Sequence, residues 1–375
     1  MAPTSEPLVD RVTARAYRIP TRRPEADGTL SWDATILVLV RAQVGPVTGT
    51  GWTYADTACV PLINDKLAAA VEGKPGLDVP ARWSDMQRAI RNLGRAGVVS
   101  CALSAVDTAL WDAAARLVGV PVSRLLGKVH ADVALYASGG FVSETTEELR
   151  DWLIQWAHER DVPRVKIKIG QDWGHTTRRD LDRVELARQT VGDDVELYVD
   201  ANGAYSVGQA RRMANEVREF AVSWFEEPVS SDDLAGLATV RSATTMDVAA
   251  GEYGYDLAYF ARMVDAGAVD CLQIDVTRCG GYTEWMRAAA VAAAANLDVS
   301  AHCAPNLSLH AATATQNFRH IEWFADHDRI EAALFAGVRD PSGGRVGPDL
   351  TAAGHGLVFK EADAEPYAVE PRGGS

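Results

Sequence analysis

The chain has 375 residues, 47% of them hydrophobic and 23% charged, which is enough to bury a large core divided between two domains. A formal net charge of −14 and the lack of any basic block argue against non-specific nucleic-acid binding, although lysines grouped beside a metal can still hold a small anion. The five cysteines are scattered without CxxC spacing, and neither a charged leader nor an uninterrupted apolar run of about 18 residues stands out, so a cytoplasmic protein with reduced thiols and no membrane partner is expected.

Residues 1–130 predict an α+β domain. Residues 12–19 and 34–44 have the pattern of strands, with a polar break at 21–28 between them. A Gly/Thr-rich loop is expected at 45–58. It carries Trp52 and Tyr54, aromatics that either close over a ligand or pack within a hairpin. Helical segments follow at 61–72, 81–93 and 97–117, the last Ala-rich and apolar, hence buried on most sides.

From about residue 133 the register changes. Apolar strand segments at 133–137, 165–169, 196–199, 222–225, 248–250, 271–274, 298–301 and 321–324 alternate with helical ones such as 145–160, 179–190, 207–220, 232–241, 256–266 and 284–296. Eight strands at intervals of about 20 to 32 residues, each followed by a helix, predict an α/β fold of the (β/α)8 type. An open doubly wound sheet is the competitor. It wants a Gly-rich phosphate turn after the first strand, and Ser138-Gly139-Gly140-Phe141 is a poor one. The predicted organisation is therefore a capping domain at 1–130, a barrel at 131–326 and a segment at 327–375 that returns to the capping domain.

Chemistry in such a barrel sits at the C-terminal strand ends, and three successive strands end in acids: Asp200 (followed by Asn202), Glu226 and Glu252. One acid there is commonly a loop cap. Three at matching positions are hard oxygen ligands suited to Mg²⁺. The second strand carries Lys166 and Lys168 on one face, an expensive pair unless an anion faces it. A second ammonium and a divalent cation nearby would lower the pKa of one lysine into the range of a usable base. The sixth and seventh strands end at Asp275 and His302, a candidate dyad in which the carboxylate fixes the imidazole tautomer. Glu322 on the eighth strand could donate a hydrogen bond to an oxyanion if its pKa were raised. Lysines on one side and a His-Asp pair on the other, with a metal between, suit abstraction of the proton next to a carboxylate.

These residues, with Ser104-Ala105-Val106-Asp107-Thr108-Ala109-Leu110-Trp111-Asp112, Glu226-Glu227-Pro228 and Gly251-Glu252, resemble the mandelate racemase-like subgroup of the enolase superfamily over nearly the whole chain. The resemblance implies a modified (β/α)8 barrel capped by an N-terminal α+β domain. It further implies Asp200, Glu226 and Glu252 as Mg²⁺ ligands, and Lys168 as one base tuned by Lys166. His302, oriented by Asp275, would be the opposite base or acid, with Glu322 bonded to the substrate carboxylate. Capping loops are placed at 21–28 and 49–58, and a homo-oligomer, dimer or octamer, is implied.

The subgroup contains dehydratases of acid sugars, racemases, epimerases and cycloisomerases, all starting from the same proton abstraction. Ser138, Asn202, Arg278, Asn306 and His310, polar and near strand ends, suit a polyol chain, whereas Trp52 and Tyr54 suit a cyclic substrate or a shield. Dehydration of an acid sugar to a 2-keto-3-deoxy acid is the expected reaction. The alternatives are racemisation or epimerisation of a 2-hydroxy acid, or cycloisomerisation of a sugar-derived lactone.

Overall fold

The computed structural model describes residues 6–370. Three antiparallel strands, β1 (Val9–Ala26), β2 (Ser31–Val44) and β3 (Val47–Tyr54), form the first sheet in that order. β1 runs through most of the expected polar break, and a register shift against β2 between Pro20 and Glu25 absorbs it. β3 likewise fills much of the stretch expected as a loop. Its glycines serve packing: a Cβ on Gly49 would lie 2.1 Å from the Ala109 carbonyl oxygen, and one on Gly51 2.4 Å from that of Ala105. Both carbonyls belong to the helix Val98–Val118, which therefore lies directly on the sheet. By length and composition that helix could cross a membrane, but 83% of its most apolar window is buried, as befits a core helix.

A parallel barrel follows, built from β4 (Val133–Gly139), β5 (Arg164–Lys168), β6 (Glu196–Asp200), β7 (Val222–Glu226), β8 (Asp247–Ala250), β9 (Cys271–Ile274), β10 (Asp298–Ala301) and β11 (Phe318–Phe324). Neighbours in sequence pair in space, and β11 pairs with β4 to close the ring. Closure excludes the open doubly wound sheet. Alternate residues along each strand face opposite ways. Leu135, Val165, Leu197, Phe225, Leu272, Val299 and Ile321 belong to the main core that the outer helices cover. Tyr136, Tyr198, Trp224, Ala249 and Cys271 form a separate cluster. The Tyr136–Tyr198 and Tyr198–Trp224 ring centroids are 5.4 and 5.5 Å apart, with the His320 ring 4.7 Å from Tyr136. This aromatic plug fills the barrel below its C-terminal mouth.

Two buried acids join the Val98–Val118 helix to its surroundings. Asp107 accepts hydrogen bonds from the Thr283 amide (3.0 Å) and hydroxyl (2.6 Å), at the start of the helix Gly281–Ala294 behind β9. Asp112 accepts from the Thr50 amide on β3 and the His355 amide, at 2.8 and 2.7 Å. Beyond β11 and the helix Ala325–Leu334, Phe335–Ala336 pairs with Val358–Phe359, and the Val369 amide donates to the Ala16 carbonyl of β1 at 2.9 Å.

Candidate active site

Strand register assembles the acids. Lys168 pairs with Asp200, and Asp200 with Glu226, on three adjacent strands. Glu252 stands two residues beyond β8, turned inward by Gly251 at φ +138°, where a Cβ would meet the Gln273 carbonyl oxygen at 2.0 Å. One carboxylate oxygen each of Asp200, Glu226 and Glu252 lies within 4.8 Å of the others, and all three residues are buried. Three hard oxygen donors so close together repel unless a cation stands among them, and the donor set fits Mg²⁺.

The lysines are the cations on the spot. Lys166 Nζ contacts Glu226 and lies 2.7 Å from Glu322 Oε1 and 3.5 Å from Asp200 Oδ2, while Lys168 Nζ lies 2.5 Å from Asp200 Oδ2. Burial drags the Lys168 pKa down and Lys166 adds to this, but Asp200 outweighs both and the pKa ends above that of an ordinary lysine. The lowered pKa expected from the sequence requires a divalent cation beside the lysines; with protein groups alone, the carboxylate in contact outweighs the neighbouring ammonium. For Glu226, burial dominates and pushes its pKa up to about 8 despite Lys166, whereas Asp200 is held below the usual carboxylate range by the two lysines, which overcome its burial.

On the far side of the mouth, His302 follows β10 and Asp275 follows β9. His302 Nδ1 lies 2.7 Å from Asp275 Oδ2, so the second ring nitrogen faces the mouth. Burial lowers the His302 pKa, yet Glu252, Glu322 and Asp275 together raise it above the ordinary histidine value. Glu322 departs from expectation. Its oxygens accept from the Ser138 hydroxyl (2.7 Å) and the Cys303 amide (2.9 Å) as well as facing Lys166. Burial raises its pKa, but Lys166 and His302 outweigh this and hold it well below the usual carboxylate range, opposite to the direction that donation to an oxyanion requires.

A cavity of about 380 Å³ opens between these groups and the capping domain. Lys168, Glu252, His302 and Glu322 line it from the barrel. Of the residues expected to meet substrate, Asn202, Arg278 and Tyr54 reach the cavity. Arg278 spans Glu252 Oε1 (3.2 Å) and Asp275 Oδ2 (3.4 Å), and the buried Asn202 Oδ1 has no hydrogen-bond partner. The others do not line it. Trp52 is completely buried on β3 against Phe335, with ring centroids 4.5 Å apart. Ser138 lies behind Glu322, Asn306 is tied to Glu331 at 2.8 Å, and His310 is buried against Ser123 and His355. These three serve neighbouring side chains and backbone, a role that depends on tertiary packing.

Asp27, within the capping loop expected at 21–28, also reaches the cavity, together with residues that sequence reasoning missed: Trp32 from the capping domain, and Tyr253, Cys303 and His327. His327 stacks on Tyr54 with ring centroids 3.5 Å apart. It stands three residues past β11, and the strand-end rule that selects His302 would have found it. Four non-glycine residues at the mouth, Asn202, Glu227, Cys303 and Ala304, have φ between +35° and +51°. Such strain collects where function over-determines the backbone.

A profile described as the mandelate racemase / muconate lactonizing enzyme N-terminal domain matches residues 11–127, and an enolase C-terminal domain-like profile matches residues 148–363. The chain belongs to the mandelate racemase/muconate lactonizing enzyme family. A family structure from Rubrobacter xylanophilus, described as mandelate racemase/muconate lactonizing enzyme-like, is 44% identical, with a TM-score of 0.93 over 97% of this chain and 100% of that one. A racemase structure from Streptomyces coelicolor with bound magnesium is 28% identical, with a TM-score of 0.91 over 96% and 100%. Among family enzymes, the 3,6-anhydro-alpha-L-galactonate cycloisomerase of Streptomyces coelicolor is 28% identical over 94% of this chain and 97% of its own. The L-rhamnonate dehydratase of Saccharopolyspora erythraea is 31% identical over 78% and 73%.

Proposed function

We propose that the protein is a Mg²⁺-dependent enzyme that removes the proton α to a carboxylate and, acting on an acid sugar, expels the β-hydroxyl to give a 2-keto-3-deoxy acid. One observation carries the reading. Lys168 and His302 line one cavity, and the strands bearing Asp200, Glu226 and the approach to Glu252 run between theirs.

Asp200, Glu226 and Glu252 would hold the ion, which would supply positive charge to stabilise an enediolate and offset the carboxylates that raise the Lys168 pKa. Lys168 takes the α-proton at Nζ. Lys166, wedged between Glu226 and Glu322, holds positive charge beside it. The Cβ–O bond then breaks, the departing hydroxyl takes a proton from His302 Nε2 and leaves as water, and the enol relaxes to the ketone. Asp275 keeps the imidazole in the tautomer that presents Nε2. Arg278, Asn202 and Tyr54 surround the hydroxylated tail of the substrate. The match to the L-rhamnonate dehydratase supports the elimination step.

The test is a screen of mono- and diacid sugars with Mg²⁺, reading 2-keto product, followed by the same acids in D₂O. Lys168→Ala and His302→Asn are each expected to reduce turnover by about 10²–10⁴-fold. Solvent deuterium at Cα without keto product would reassign the protein to racemisation or epimerisation, and isomeric acid without loss of water to cycloisomerisation. If no acid exchanges its α-proton, the reading fails.

A further inference from the structure

His302 is the meeting point of a second donor set. Its Nε2 lies 3.3 Å from Cys303 Sγ, 3.3 Å from Glu252 Oε2 and 3.7 Å from Glu322 Oε2. Zinc bonds of about 2.0–2.2 Å to nitrogen and oxygen and about 2.3 Å to sulfur give a tetrahedral site with edges of roughly 3.3–3.6 Å. The two 3.3 Å separations match those edges, and the 3.7 Å one exceeds them slightly. His302 Nδ1 is already bonded to Asp275, the carboxylate–histidine arrangement that orients an imidazole toward a metal. The Glu252 Oε2 atom is buried without a hydrogen-bond partner, on a residue that is 4% exposed. Cys303 adopts φ +51°, an unfavourable conformation for a residue with a side chain, at the point where its thiol meets the imidazole.

We propose that His302, Cys303 and Glu322, with the Glu252 oxygen at the fourth corner, form a soft-metal site that takes Zn²⁺ or Cd²⁺ and shuts the enzyme by engaging the His302 lone pair. The donor types separate this site from the three-carboxylate site beside it: nitrogen and sulfur select soft ions, whereas Asp200 and Glu226 offer only hard oxygen. Binding forms a metal–sulfur and a metal–nitrogen bond and releases the thiol proton to solvent. It occupies the nitrogen that would otherwise exchange protons with substrate, while Mg²⁺ keeps its own ligands and shares the Glu252 carboxylate. Among the described residues, Cys303 is the one cysteine within ligand distance of such a group, so the thiolate signal is specific.

The experiment titrates Cd²⁺ into the full chain saturated with Mg²⁺ and follows the ultraviolet thiolate-to-Cd²⁺ charge-transfer band. One equivalent per chain should produce the band. Cys303→Ser should abolish it, and Asp275→Asn should weaken Cd²⁺ binding by about 10–100-fold, the usual effect of removing a histidine's outer partner. If Cys303→Ser does not fold, as judged by circular dichroism, His302→Asn decides, with a loss of affinity of at least tenfold expected. No band in the wild-type protein, a band that persists in Cys303→Ser, or Cd²⁺ that binds without a band and is displaced by Mg²⁺ would each overturn the proposal. Because Cd²⁺ binding is read without substrate, this result does not depend on which acid the enzyme uses.

Discussion

Trp52 and Tyr54 sit two residues apart on one face of β3, yet they do different things. Trp52 lies deep against Phe335, whereas Tyr54 stands at the cavity, stacked on His327 with its hydroxyl 3.2 Å from Glu331. Trp52→Ala should therefore cost about 3–5 kcal/mol of stability in chemical unfolding and leave KM nearly unchanged. Tyr54→Phe should cost about 0.5–1.5 kcal/mol and raise KM, because the ring at the cavity loses its anchor on Glu331. Equal effects of both on KM would show that the two aromatics share one role. The clustering of carboxylates, lysines and His302 at the barrel mouth was legible in the sequence, because strand periodicity and strand ends place such side chains without knowledge of any other element. Ser138, Asn306 and His310 were not, since nothing local distinguishes a polar side chain that meets substrate from one that braces Glu322 or Glu331.

At the scale of elements, the eight barrel strands were legible because each is a short apolar run bounded by helical segments. The capping sheet was partly hidden. Glycine in 45–58 reads as a loop signal, and only the approach of the Val98–Val118 helix explains why a strand needs Gly49 and Gly51. That helix also allows a pH prediction. Burial is the largest influence on Asp107 and pushes its pKa from 3.8 to about 7, against the pull of the Thr283 hydrogen bonds. A raised carboxyl pKa means that the folded state holds the proton more tightly, so the contribution to stability is greatest below the unfolded value and is lost as pH rises toward 7. Urea unfolding of wild type and Asp107→Asn across this range should show a shallower pH dependence in the variant. Asp107→Ala should cost about 1–3 kcal/mol, because the half-buried Thr283 amide and hydroxyl lose their acceptor.

For the whole molecule, the cavity is a joint product of two domains. The capping turn at 27–30 rests on the barrel through Gly28, where a Cβ would lie 2.6 Å from the Gly170 carbonyl oxygen, and the Gly28 carbonyl accepts from the Trp173 amide at 3.0 Å. Gly28→Ala should lift that turn, raising KM several-fold with less effect on kcat; steady-state kinetics with the acid found in the screen would check it. This contact was not legible in the sequence, because it depends on the absence of a side chain.

The hydrogen bond between Ser138 and Glu322 crosses the seam where the last barrel strand meets the first, joining residues 184 positions apart. Contacts of such sequence separation form late, because the intervening chain must lose its freedom before they repay it. Lys166 is anchored by the same Glu322, so the charges at the barrel mouth are set in place only as the ring closes. In refolding from urea, helical signal should return before activity, and activity should recover with the slowest phase. Chains still emerging from the ribosome would thus hold most of the barrel without a completed site, since Glu322 lies on the last of the eight barrel strands to be made.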